Sequence, residues 1–80
     1  MALIKSFERS SAARVTFRTE VDCGWNVGTV NGREILHLET YGSSDRALPG
    51  KVSQSIELDE AAAAELVRII HQAFPRLSRR

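Results

Sequence analysis

The sequence has little sulphur and little excess of either charge. Its one cysteine, Cys23, rules out an internal disulfide. The two histidines, His37 and His71, lie too far from it for a zinc-ligand spacing, so no metal is expected. A lone cysteine fits a reducing compartment, and a cytoplasmic location is the expectation. The opening "MALIKSFERS" has too short an apolar run for a signal sequence. No stretch approaches the roughly 20 apolar residues of a membrane span, so a soluble protein with no membrane partner is expected. Basic and acidic residues nearly balance, 11 against 10, for a net charge of +1. Composition alone therefore does not announce nucleic acid. There is no G-x-S-x-G, no glycine-rich phosphate loop before a helix and no carboxylate pair at a telling spacing. The expectation is a protein that is not an enzyme and has no cofactor.

What is present starts with size. At 80 residues and 42% hydrophobic composition, residues 1–80 form one domain. A chain this short buries only about 60% of its unfolded surface. Domains of this size gain support from disulfides, metals or further subunits. With the first two excluded, oligomerisation remains.

Hydrophobic periodicity then sets the elements. "ALIKSF" is a short first strand or an irregular arm, and "ERSSAA" is a turn. "RVTFRTEV" alternates, with Val15, Phe17, Thr19 and Val21 opposite Arg14, Thr16, Arg18 and Glu20, which is the period of a half-buried strand. "DCG" is expected to break it. "WNVGTV" resumes with Trp25, Val27 and Thr29 on one face. Asn31-Gly32 supplies the two positive-φ positions of a type I′ turn, the strongest hairpin signal in the chain. "EILHLETY" returns, with Ile35, His37, Glu39 and Tyr41 alternating with Leu36, Leu38 and Thr40. The loop "GSSDRALPG" leads to "KVSQSIEL", where Val52, Gln54, Ile56 and Leu58 oppose Lys51, Ser53, Ser55 and Glu57. Asp59 is a good N-cap for a helix over "EAAAAELVRIIHQAF". That helix carries an apolar stripe of Ala62, Leu66, Ile69, Ile70 and Ala73, widened by Ala63, Val67 and Phe74. Pro75 ends it, and "RLSRR" is a tail. The expected fold is α+β: a curved antiparallel sheet of four to five strands followed by one C-terminal helix. The wide helix stripe suits contact with the sheet and with a second subunit, so a homodimer is expected.

Catalytic chemistry finds little footing. His37 and Glu39 share a strand face and could act as a base with its orienting carboxylate, or simply as cross-strand polar residues. Cys23 has the acidic neighbour Asp22, which does not favour a thiolate, and reads as structural. Binding chemistry has more to draw on. Arg14, Thr16 and Arg18 form a cationic strand face that can meet phosphates, or be an ordinary wet face. Trp25 and Tyr41 are the aromatics that could stack on bases, with a core position as the alternative for Trp25. The loop adds Arg46 and Lys51, with serine hydroxyls including Ser53 beside Gln54.

From Ile35 to Phe74 the chain resembles the single-stranded-DNA-binding domain of the positive cofactor four family of transcriptional coactivators, including its small bacterial members. The pieces are "ILHLETYGSSDRALPGK", then "SQSIELDE", then the capped helix. The order is an alternating strand ending in an aromatic, a polar loop with Pro-Gly-basic, a second strand and a helix. The resemblance implies a homodimer whose curved sheets grip unwound or single-stranded nucleic acid with little sequence readout. Tyr41 matches the aromatic that ends the strand, and Lys51 the basic residue after Pro-Gly. Two positions depart from the family: Glu39 stands where it often has arginine, and Gly42 where it often has tryptophan.

The resulting expectation is non-enzymatic binding of single-stranded or melted nucleic acid, in transcription or replication regulation. Arg14, Arg18, Arg46 and Lys51 would contact phosphates, Tyr41 and Trp25 would stack, and Ser53 and Gln54 would hydrogen-bond sugar or phosphate. A protein-interaction module using the same dimeric sheet is the alternative reading. A binder of small phosphorylated molecules is another.

Overall fold

The computed structural model describes residues 1–11, 19–42 and 52–78. Its centre is the hairpin that Asn31-Gly32 dictates. Both residues have positive φ, 51° and 77°, which a type I′ turn needs. The turn joins β2 (Cys23–Val30) to β3 (Arg33–Tyr41), paired in register from Val30↔Arg33 to Cys23↔Thr40. On the other side of β3 lies β4 (Val52–Leu58), antiparallel from Leu36↔Leu58 to Tyr41↔Val52. The register slips between Thr40 and Tyr41, and Ser53 is the extra residue of this bulge.

The sheet is mixed rather than wholly antiparallel. β1 (Ala2–Leu3) lies along β4 in parallel, with Ala2 opposite Ile56 and Leu3 opposite Glu57. Ile4 continues the contact, its N–H donating to the Glu57 carbonyl at 2.8 Å. A parallel neighbour needs a long crossover connection, and here the whole β2–β3 hairpin lies between the two strands in sequence. The order is β1-β4-β3-β2. The first part of the expected strand "RVTFRTEV", residues 14–18, lies outside the described residues. Its described end, residues 19–21, is in no strand. Of the expected break "DCG", Asp22 lies in no strand, but Cys23 and Gly24 already pair with Thr40 and Glu39, because the hairpin ladder runs unbroken from its turn.

After Leu58 the chain enters α1 (Glu60–Ala73). Asp59 caps it as expected, its Oδ1 accepting from the Ala62 N–H at 2.9 Å. Asp59 Oδ2 also accepts from the Arg33 guanidinium, which ties the hairpin to the helix start. This amide contact, with Arg33 beside it, holds the Asp59 carboxyl below its usual range. Phe74 closes the helix by donating its N–H to the Ile70 carbonyl at 2.8 Å. Beyond it, Pro75–Ser78 form a 3₁₀ turn rather than a plain tail.

The register sorts side chains onto two faces. Trp25, Val27, Leu36, Leu38, Ile56 and Leu58 share one face, since Trp25 pairs with Leu38 and Leu38 with Ile56. The helix meets the sheet there, in a cleft lined by Val27, Leu36, Leu58 and Ala63. Among the described residues the buried apolar side chains are Leu58, Ala62 and, on the other face, Ile35. Much of the apolar face lies beyond the helix: Trp25 is 72% exposed and Val27 52%. On the helix itself, Val67 and Phe74 also stand exposed.

Candidate functional site

The second face carries the polar chemistry. Along β3 the residues Ile35, His37, Glu39 and Tyr41 point to it, by strand alternation. Directly across from His37 are Asn26 on β2 and Glu57 on β4. Glu39 faces Gly24 and Ser55. These positions bring four side chains into one hydrogen-bonded row. Glu57 Oε2 lies 3.0 Å from His37 Nδ1. His37 Nε2 lies 2.8 Å from Glu39 Oε1. The Tyr41 hydroxyl donates to Glu39 Oε2 at 2.8 Å.

With a carboxylate on each ring nitrogen, the row favours the imidazolium. The Glu39 contact, then that of Glu57, raises the His37 pKa above the ordinary 6.5. In return His37, and then Tyr41, hold the Glu39 carboxyl below its ordinary 4.5. The Glu39 carboxylate beside the phenol raises the Tyr41 pKa above 10.0. The three side chains of the His–Glu bridge are half-buried, 23% to 29% exposed. This arrangement does not suit general-base chemistry, because no ring nitrogen is left to accept a proton. Nor does it suit a metal. The carboxylates sit on opposite nitrogens, and no cluster of metal-binding side chains occurs among the described residues.

Tyr41 owes its place to Gly24. The phenol end occupies the space that a side chain at position 24 would fill, with Cζ 3.1 Å from where a Cβ would stand. The glycine therefore serves a close approach of ring to backbone. At the same end of the sheet, the extra residue Ser53 shares a 3.0 Å hydroxyl contact with Thr40.

Among the described residues, those expected from sequence to bind nucleic acid lie on both faces. Tyr41 stands half-buried on the polar face. Trp25 and Gln54 stand exposed on the apolar one, Gln54 opposite Thr40. Ser53 is exposed at the bulge. Arg14, Arg18, Arg46 and Lys51 lie outside the described residues. Sequence reasoning paired His37 with Glu39 but missed Glu57, Gly24 and Asn26, because that needs the strand register. The signal for Glu57 was its place in the alternating row Ser53, Ser55, Glu57. Comparison with family models, with curated proteins and with solved structures finds no match for the chain.

Proposed function

We propose that the chain is a non-enzymatic binding domain that acts as a homodimer and takes up single-stranded or melted nucleic acid at the Tyr41 end of its polar sheet face. The carrying observation is an aromatic ring anchored at its hydroxyl by Glu39 and seated against Gly24. A ring held in place is a platform on which a base stacks whatever its identity. Tyr41 and Val52 pair where β3 ends and β4 begins, so the segment bearing Arg46 and Lys51 joins the sheet at this same end. Its two cations supply the phosphate contacts, and the Ser53 hydroxyl adds a donor. The likeness of residues 35–74 to the positive cofactor four domain supports the same reading. Pairing of copies is supported by the apolar face, where Trp25, Val27 and Ile56 stand exposed beside the helix. Trp25 belongs with that contact rather than with the nucleic acid.

A second reading, a module that docks another protein, has one observation in its favour. Glu39 and Glu57 put two carboxylates against one imidazolium on the polar face, a balance that repels phosphate. Fluorescence anisotropy of a labelled single-stranded oligonucleotide, titrated at low and moderate salt with duplex and mononucleotide competitors, separates these readings. Saturable binding that weakens with salt and resists duplex supports the nucleic-acid reading. Displacement by mononucleotide alone points to a small phosphorylated ligand. No binding at low salt moves the assignment to protein docking.

A further inference from the structure

A carboxylate on a phosphate-binding face is at first sight a defect. We infer the opposite for Glu39: it is the positioning residue of the Tyr41 ring, and through that role it strengthens the nucleic-acid binding proposed above. The inference rests on that functional reading, and its argument is geometric. Tyr41 ends β3 beside the bulge, where the ladder is irregular, so the backbone alone does not fix its side chain. Two contacts fix it instead. Gly24 gives the phenol a seat on the β2 backbone. Glu39 Oε2 accepts the hydroxyl proton at 2.8 Å. Glu39 is in turn not free to turn away, because its other oxygen is bound by His37, and His37 is bound by Glu57 from β4. The chain of contacts crosses from β4 to β3 and ends on the ring. A cation at position 39 would meet phosphate directly, but it could not accept the phenol proton. Glutamate exchanges a direct phosphate contact for a fixed stacking platform.

The two roles of a carboxylate predict opposite signs. If Glu39 acted only through its charge, Glu39→Leu, which has neither charge nor acceptor, would remove repulsion and tighten binding of the oligonucleotide. As a positioning residue its loss loosens the ring, and binding weakens by roughly ten-fold, the scale of one lost stack. Gly24→Ala gives a second, uncharged test. An added Cβ displaces the phenol without altering charge, and it too must weaken binding. Tyr41 is the one tyrosine of the chain, so its ionisation can be followed by ultraviolet absorbance, with far-ultraviolet circular dichroism to confirm folding. Wild type should ionise above the ordinary tyrosine range, and Glu39→Leu should bring it back down. Weaker binding by both variants with that shift sustains the inference. Tighter or unchanged binding by Glu39→Leu overturns it, as does a tyrosine ionisation that ignores Glu39. If wild type binds no single strand at all, the functional reading falls, and the ionisation experiment alone still decides whether Glu39 holds Tyr41.

Discussion

The two faces of this sheet are built from alternate residues of the same strands, yet they are held by different physics. On one face Trp25, Leu38 and Ile56 line up across three strands, continued by Val27, Leu36 and Leu58. Apolar contact has no preferred direction, so this face can be closed by the helix at one end and by another surface at the other. On the opposite face Glu57, His37, Glu39 and Tyr41 are joined by directional hydrogen bonds in one order. Apart from the buried Ile35, that face gains little from burial and much from geometry. The labour is divided: the apolar face carries the packing against the helix, and the polar face carries a fixed arrangement of groups.

The largest expected effect is at Leu58, the most enclosed side chain among the described residues, 1% exposed. Leu58→Ala should cost about 2–5 kcal/mol in denaturant unfolding. A loss of about 0.5 kcal/mol, as at a surface site, would mean that the apolar face is not the core. Next comes Trp25, which the chain alone leaves 72% exposed. In a homodimer closed on this face it becomes an interface anchor. Trp25→Ala should then raise the dimer dissociation constant by roughly thirty-fold or more in sedimentation equilibrium, the scale of a hot-spot residue. A wild-type protein that sediments as a monomer would break the proposed pairing.

Much of this division was legible in the sequence. Period-two alternation placed Leu36 and Leu38 against His37 and Glu39, and Asn31-Gly32 fixed the hairpin turn, because both signals are local. Asp59 was legible for the same reason: a cap acts within one helical turn. What could not be read was register between strands distant in sequence. His37 and Glu57 are twenty residues apart in the chain. Nothing local distinguishes that pairing from one slipped by two residues. The close approach of Tyr41 to Gly24 has the same cause. A short first strand was one reading of "ALIKSF", but its parallel direction was not legible, because two residues hold too short a pattern to carry a direction.

The joint between faces and helix offers a smaller test. Asp59 closes the helix start and receives Arg33 from the hairpin. Asp59→Ala should cost about 1 kcal/mol in thermal or denaturant unfolding. Arg33→Ala should cost less, since this guanidinium is 60% exposed and exposed ion pairs are weak. Equal losses would show that the ion pair, not the cap, holds the helix to the sheet.

The smallest expected effect is the one most specific to the polar face, and it lies in the pH dependence of stability. His37 has a raised pKa in the folded chain, so its contribution is complete below 6.5 and is lost as pH climbs through the raised value. Glu39 has a lowered pKa, so its contribution is complete above 4.5 and is lost as pH falls through the lowered value. The bridge is therefore strongest between these limits, in mildly acid solution. His37→Gln keeps a polar side chain but cannot carry the charge. The melting-temperature difference between wild type and His37→Gln should be widest in that window and shrink on both sides. A difference that is flat with pH would mean that His37 contributes packing alone. The apolar face supplies the control: Leu58 does not titrate, so the cost of Leu58→Ala should keep the same size across that range.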